Sequence, residues 1–185
     1  AGMGWADAFI HMCSTMGLGG FSSYDASIGH FQSAPIEAVA IVFMLLAGVN
    51  FARYFVVWRS RSLRPLVRCI ETRAYLLVLA ASIALITVYL VAHGQYGTFA
   101  EALRHTAFHV VSLATTTGYA STDYAQWPAF APMLMILLGC FAGCAGSTSG
   151  GIKMVRMLLL IKQARVELVR IVHPRAVLPI ALGGA

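Results

Sequence analysis

The chain has 185 residues, of which 59% are hydrophobic and only 11% charged, and its mean hydropathy is +0.76. A soluble domain carries about twice that charged fraction, and a globule of this size has too little interior to hide so much apolar surface. Lipid must cover part of that surface, which argues against a soluble enzyme, a disordered regulator and a nucleic-acid-binding module. The net charge of +6 therefore needs another explanation.

Three apolar stretches are long enough to cross a bilayer, for which about 20 residues are needed. Residues 38–58 contain one charged side chain, Arg53, and one strongly polar residue, Asn50. Residues 74–92 and residues 124–152 carry no charged side chain. We therefore predict three membrane-spanning segments.

The basic residues are concentrated between and after these stretches. Eleven of the 13 Lys and Arg residues lie in residues 59–73 and 153–175. Short loops rich in Lys and Arg remain on the cytoplasmic side of a membrane, which predicts that both segments are cytoplasmic and that residues 1–33 and 93–127 lie outside. This placement explains the positive net charge without nucleic acid.

Both outer segments contain a short amphipathic helix. Residues 99–113 repeat apolar side chains at helical spacing, and residues 5–12 look like the remainder of a similar helix. At 1.5 Å per residue the longer of the two would reach only about 22 Å, which is too short to cross the hydrocarbon. We predict that each helix enters from outside and turns back as a re-entrant pore helix.

The two outer segments also repeat each other in sequence. Residues 13–17 align with residues 114–118 and, after a gap at residues 18–20, residues 21–25 align with residues 119–123. Each unit reads as an outer helix, a small-residue turn ending in Gly, an aromatic residue, Ser and Asp, followed by an apolar stretch. Internal repeats in membrane transporters commonly hold the binding site between them.

The repeated turn has the chemistry of a cation site. A helix that ends inside the membrane directs the partial negative charge of its C-terminal carbonyls at the bilayer centre. A turn rich in Thr and Gly adds backbone carbonyls that Gly allows to face one way, and rings of such oxygens replace an ion's hydration shell in channel filters. The alternative is a Gly-rich helix cap with an outer loop, but two copies at matched positions favour the filter. The predicted filter residues are Ser14, Thr15, Met16, Gly17, Thr115, Thr116, Thr117 and Gly118.

The third apolar stretch is predicted to be broken, because residues 143–151 contain four glycines, two serines and a threonine. Each Gly costs about 1 kcal/mol relative to Ala in a helix, and unwound backbone at membrane depth is tolerated only against protein or a water-filled cavity. We predict a movable loop in the ion path below the filter; a packing kink between helices is the alternative. The predicted gating loop comprises Gly143, Cys144, Ala145, Gly146, Ser147, Thr148, Ser149, Gly150 and Gly151. It runs into Lys153 and Arg156, the predicted gate-coupling residues, on an amphipathic helix that would transmit a pull from the cytosol.

Other chemistry is not indicated by the sequence. The chain has no Cys-x-x-Cys pair with partner histidines, no catalytic triad and no pair of catalytic carboxylates. His105 and His109 have the i, i+4 spacing of a helical metal pair, but the sequence offers no third ligand, which favours a role in polar anchoring. We therefore predict neither an enzyme nor an organic cofactor.

The motifs resemble those of the TrkH family of Trk-type potassium uptake proteins, within the Trk/Ktr/HKT superfamily of cation transporters. Residues 14–31 are similar to the family's second pore loop, residues 114–119 to its third, residues 143–153 to its intramembrane gating loop and residues 173–177 to the link to its fourth repeat. Ser149 stands where the family usually has glycine. Because these matches follow the family's order along nearly the whole chain, we expect an internal part of a longer membrane protein.

The resemblance implies an all-α membrane protein of membrane–pore-loop–membrane repeats with re-entrant pore helices and a broken transmembrane helix. Four such repeats would surround one pore. Residues 1–58 would form the end of the second repeat, residues 59–73 a cytoplasmic basic loop, residues 74–163 the third repeat, and residues 164–185 the link and the start of the fourth.

The resemblance also implies a function, which is uptake of potassium ion across the bacterial cell inner membrane by a multi-pass protein with a channel-like pore. Potassium would be the transported ligand, membrane lipid would surround the protein, and the partners would be a second copy in a homodimer and a cytosolic nucleotide-binding regulatory subunit. The alternatives are a sodium-permeable or ion-coupled carrier of the same superfamily and, more remotely, a non-conducting membrane scaffold.

Overall fold

The computed structural model describes residues 2–173, and within this range it contains eight α-helices, two short 3-10 turns and no strand. The link to a fourth repeat, predicted for residues up to 185, lies outside the described residues from residue 174 onward. The helices are α1 Trp5–Met16, α2 Ala34–Ala47, α3 Phe51–Ser60, α4 Arg64–Val67, α5 Ile70–Ala92, α6 Phe99–Ala114, α7 Phe130–Gly139 and α8 Met154–Val172.

One helix in the described range, α5, is by itself long and apolar enough to cross a membrane. Its 23 residues cover the second predicted span, residues 74–92, and begin within the predicted basic loop. The third predicted span is interrupted as expected, because the apolar helix α7 ends at Gly139 and helical structure resumes only at Met154.

The first predicted span, residues 38–58, contains a break that its composition did not predict. The segment forms two helices, α2 and α3, whose axes meet at an angle of 90°. Gly48 ends α2 where the hydroxyl of Tyr75 lies so close that a Cβ atom would overlap it. Asn50 then begins α3 by accepting a hydrogen bond from the backbone N–H of Ala52 at 2.9 Å, which is the usual role of Asn at a helix N-cap.

The two predicted pore helices are present as α1 and α6. Helix α6 matches the predicted range within one residue, and the side chain of Thr98 caps it by accepting a hydrogen bond from the N–H of Glu101 at 3.3 Å. Helix α1 continues past the predicted residue 12 as far as Met16. This extension changes which residues are left for the loop that follows.

Helix α6 is the centre of the described structure and contacts α2, α5 and α7. Phe108 and Val111 lie in an apolar cluster with α2, whereas Val110 and Ala114 lie in a second cluster with α5 and α7. From Phe108 to Ala114 every side chain of α6 is buried except that of Leu113, which is half-buried, so protein surrounds the C-terminal half of the helix. In contrast, α2, α5 and α7 expose large apolar side chains on their outward faces.

A bidentate ion pair joins α6 to α2. The guanidinium of Arg104 donates from Nε to Glu37 Oε2 at 2.8 Å and from Nη2 to Glu37 Oε1 at 2.7 Å. The Glu37 side chain is only 3% exposed, and a buried carboxylate needs such a partner to remain charged. The pair therefore fixes the position of α6, the second pore helix, against α2.

We expect Arg104→Ala to destabilise the full-length protein by about 3 kcal/mol, because it leaves the Glu37 carboxylate buried without its partner. The matched control is Arg170→Ala, which removes an exposed pair with Glu167 on α8 and should cost at most about 0.5 kcal/mol. Thermal unfolding in detergent measures both. Equal losses in the two variants would show that the Glu37–Arg104 pair does not hold the pore helix.

Candidate ion filter and gating loop

The two pore helices end at equivalent positions, at Met16 and at Ala114. The next residue in each case, Gly17 or Thr115, stays in the right-handed region with a φ of −78° or −82°. The N–H groups after both helices then donate the same backbone hydrogen bonds. The N–H of Gly17 donates to the oxygen of Cys13, as that of Thr115 does to Val111, both at 3.0 Å. The N–H of Gly19 donates to the oxygen of Ser14 at 2.9 Å, as that of Thr117 does to Ser112 at 2.8 Å. The loops therefore correspond residue by residue, from Met16 with Ala114 to Asp25 with Asp123, without a gap.

This correspondence shifts the alignment of the first loop by three residues relative to the sequence-based alignment. Ser14, Thr15 and Met16 form the last turn of α1, and Gly17 caps it. The backbone oxygens of Ser14 and Thr15 are already engaged by loop amides. The residues that correspond to Thr116, Thr117 and Gly118 are those at positions 18–20, which the sequence alignment had treated as a gap.

Backbone dihedrals alternate in the same way in both loops. Leu18 and Gly20 have φ values of +50° and +69°, and their counterparts Thr116 and Gly118 have +61° and +87°. The residue between each pair, Gly19 or Thr117, has no positive φ. Alternation between left-handed and right-handed residues turns successive peptide groups so that their carbonyls face the same side, which Gly allows at least cost.

The carbonyls of these segments are available to a ligand. Within residues 2–173, the backbone oxygens of residues 18–20 and 116–118 accept no hydrogen bond. Gly19 and Gly118 are exposed, and the other four residues are buried or half-buried. Two runs of three unpaired carbonyls, each directly after a helix C-terminus, have the chemistry that a cation site requires.

The two loops are in direct backbone contact. A Cβ atom on Gly20 would overlap the carbonyl oxygen of Thr117. Farther along, the N–H of Gly29 donates to the oxygen of Ala120 at 3.1 Å, and the N–H of Ala120 donates to Ser27 Oγ at 3.3 Å. The structure thus brings together the two repeats that the sequence separates by almost a hundred residues.

A histidine braces each loop against its own pore helix. The Nδ1 atom of His11 lies 2.7 Å from the oxygen of Asp7, and that of His109 lies 2.9 Å from the oxygen of His105. The Nε2 atoms lie 2.9 Å from Ser22 Oγ in the first repeat and 3.1 Å from the oxygen of Thr122 in the second. The anchoring role is confirmed for His109, and residues 2–173 contain no group of three or more side chains suited to a metal ion.

The predicted gating loop lies directly against the end of α1 and the loop that follows α6. Thr148 Oγ1 donates to the carbonyl oxygen of Met16 at 3.2 Å. The N–H of Gly150 donates to Thr116 Oγ1 at 2.7 Å, and the same hydroxyl donates to the Thr115 oxygen at 2.6 Å. The loop therefore lies at the inner ends of both pore helices.

The other side of the gating loop is bound to the break in the first span. The N–H of Cys144 donates to the oxygen of Gly48 at 3.1 Å, and the N–H of Phe51 donates to the oxygen of Gly146 at 3.0 Å. The N–H of Ala145 donates to Glu71 Oε1, on the first turn of α5, at 2.6 Å. Backbone groups left unpaired by the break between α2 and α3 thus form hydrogen bonds with backbone groups left unpaired by the break between α7 and α8.

The two predicted gate-coupling residues differ in their contacts. Lys153 has a φ of +73°, and its ammonium group donates to the oxygen of Ser149 inside the loop. Arg156 lies in the first turn of α8 and is exposed. Contact between α8 and the loop therefore runs through Lys153 and through the N–H of Met154, which donates to the oxygen of Gly143 at 2.7 Å.

The family model described as "TrkH: Cation transport protein" matches residues 2–185. The chain belongs to the TrkH family. It is 42% identical to the Trk system potassium uptake protein TrkH of Halomonas elongata and 41% identical to that of Escherichia coli K12, in each case over 99% of this chain and 38% of the relative.

The fold agrees with a solved member of the TrkH family. The crystal structure of the potassium transporter TrkH from Vibrio parahaemolyticus matches with a TM-score of 0.95 and 38% identity, over 100% of this chain and 40% of that one. The predicted all-α fold and the predicted multi-pass location in the bacterial inner membrane are confirmed by this family membership. The chain spans about two fifths of the length of these relatives.

Sequence reasoning missed the break at the end of α2 and its contact with the gating loop. Its signal was present in Gly48 and Asn50, since Asn inside an apolar stretch after Gly is typical of a helix restart. The partners of this break could not be found in the same way. They are Tyr75 and the loop residues Cys144 and Gly146, which are distant in sequence.

We expect Asn50→Ala to destabilise the full-length protein by about 1 kcal/mol, because it removes the cap of α3. Asn50→Ser is the control, since a serine hydroxyl can accept the same hydrogen bond from the N–H of Ala52. Thermal unfolding of both variants measures the difference. If Asn50→Ser loses as much stability as Asn50→Ala, the side chain acts by packing against Gly146 rather than as a cap.

Proposed function

We propose that this chain supplies two adjacent quarters of a potassium-conducting pore that takes up K⁺ across the bacterial inner membrane. The observation that carries the proposal is the pair of equivalent loops, each with three unpaired carbonyls behind a helix C-terminus. The relatives reported above are named as potassium uptake proteins, which supports K⁺ as the ion. Two further loops, contributed by the rest of the protein, would complete the ring.

The proposed filter consists of residues 18–20 and residues 116–118. Their carbonyl oxygens would replace water around a dehydrated cation. The C-termini of α1 and α6 add partial negative charge at the same place, which favours a cation over an anion. This assignment retains Thr116, Thr117 and Gly118 of the sequence-based filter and moves the first strand by three residues.

Glycine substitutions distinguish the two filter assignments. Gly20 has a positive φ and touches Thr117, so Gly20→Ala should abolish potassium uptake. Gly118 also has a positive φ but lies in open space, so Gly118→Ala should impair uptake through backbone strain of about 1 kcal/mol. Gly17 has a right-handed φ, and its added Cβ would lie 3.3 Å from the Cys13 oxygen, so Gly17→Ala should be mild.

The measurement is growth at low potassium and the K⁺/Na⁺ flux ratio of the full-length protein in cells that lack other potassium uptake. A retained flux ratio in Gly20→Ala together with a collapsed ratio in Gly17→Ala would return the filter to residues 14–17. An unchanged ratio in all three variants would remove both loops from the filter.

We further propose that residues 143–151 act as a movable barrier below this filter. Its contacts support the role, because a single hydrogen bond from Thr148 holds it against the end of α1 and another from Gly150 holds it against Thr116 of the filter. Such bonds contribute about 1 kcal/mol each and can be exchanged. Lys153 at the start of α8 offers the route by which a cytosolic nucleotide-binding regulatory subunit would pull on the loop, and a homodimer would place two such pores side by side.

Removal of residues 147–149 should raise flux and weaken its dependence on the regulatory subunit while leaving the K⁺/Na⁺ ratio intact. Thr148→Ala, which keeps the loop length and removes one contact with α1, should change flux in the same direction by a smaller factor. Flux assays in proteoliposomes with and without the regulatory subunit measure both. Wild-type flux and wild-type regulation in both variants would leave the loop as a packing kink.

A further inference from the structure

A cavity of about 390 Å³ lies where α3, α4, α5 and α8 meet, beside Glu71, whose carboxylate binds the gating loop. Its lining divides into two kinds of side chain. The charged part consists of Arg53, Arg68 and Glu71, and the apolar part includes Pro65, Val155 and Leu158.

The charged part of the cavity has a net positive charge, because it contains two arginines and one carboxylate. Within residues 2–173, neither Arg53 nor Arg68 forms a salt bridge with a carboxylate. The carboxylate that shares their cavity, Glu71, is engaged by the N–H of Ala145 at 2.6 Å.

We propose that this cavity binds the phosphate headgroup of an anionic phospholipid from the cytoplasmic leaflet. Arg53 and Arg68 would contact the phosphate, since guanidinium groups suit its oxygens. The apolar side chains would lie along the glycerol backbone and the first carbons of the acyl chains. The proposal depends on the orientation of the proposed pore, in which the basic loop faces the cytosol.

The lining and position of the cavity favour a lipid over a soluble phosphate. Basic pockets between membrane helices on the cytoplasmic side bind anionic headgroups, and that leaflet carries the negative lipids. A soluble phosphate would leave the apolar side of the cavity exposed to water at a cost that acyl carbons avoid. The apolar outward face of α5 begins beside the cavity, so acyl chains have a continuous path into the hydrocarbon.

The test uses the purified full-length protein and counts bound phosphatidylglycerol by native mass spectrometry, with phosphatidylcholine as the neutral reference. Arg53→Gln and Arg68→Gln should each weaken phosphatidylglycerol binding about fivefold, and leave phosphatidylcholine binding unchanged. Arg59→Gln is the matched control, because Arg59 is exposed on α3 and does not line the cavity. Arg68→Lys keeps the charge and should retain most of the binding.

One further variant and one competition experiment complete the test. Val155→Trp fills the cavity without changing its charge, and should reduce phosphatidylglycerol binding as much as loss of an arginine does. Soluble glycerol phosphate should compete only weakly; if it displaces the lipid at comparable concentration, the site is one for free phosphate esters and the lipid assignment is wrong. Equal phosphatidylglycerol affinity in wild type, Arg53→Gln and Arg68→Gln overturns the site altogether.

Potassium flux measured on the same preparations separates this proposal from the proposed pore. Lipid binding that follows the cavity variants in a protein that carries no K⁺ would support the site and defeat the pore. Normal K⁺ flux in a protein whose lipid binding is unchanged by these variants would support the pore and defeat the lipid site.

Discussion

Backbone that leaves a helix at membrane depth has to find its hydrogen-bond partners inside the protein, because lipid offers none. This constraint governs the centre of the structure. The break between α2 and α3 and the long break between α7 and α8 are joined by reciprocal backbone bonds at Gly48, Phe51, Cys144 and Gly146. Neither break could exist alone at this depth without unpaired amides, so the two spans are interrupted together.

The same constraint explains why α6 is enclosed by protein. A re-entrant helix brings its C-terminal carbonyls into the membrane, and these must be satisfied by the turn that follows or used for an ion. The neighbours α2, α5 and α7 keep lipid away from that end, and the Glu37–Arg104 pair fixes it laterally. The pore helix is thereby held as rigidly as a core helix of a soluble protein.

The predictable part of the fold is the part encoded by local composition. An uncharged run predicted α5, four glycines within nine residues predicted the broken third span, and helical spacing predicted α6. The alignment of the loops failed because Ser-Thr-Met-Gly and Thr-Thr-Thr-Gly look alike. Where a helix ends depends on its capping hydrogen bonds, which give Gly17 the position of Thr115 instead of Gly118. The partners of Gly48 and of Glu37 are long-range contacts, for which a single sequence carries no signal.

The contact between Gly20 and the Thr117 carbonyl limits how far the diameter of the proposed pore can vary. No side chain lies between the two strands at this point, so their separation is set by the radii of a Cα atom and an oxygen atom. Side-chain rotamer changes, which broaden most interfaces as temperature rises, cannot alter the separation of the two strands there. On this flank, the bore of the proposed pore is therefore limited by incompressible backbone, and its size should be much the same in a cold and in a warm membrane.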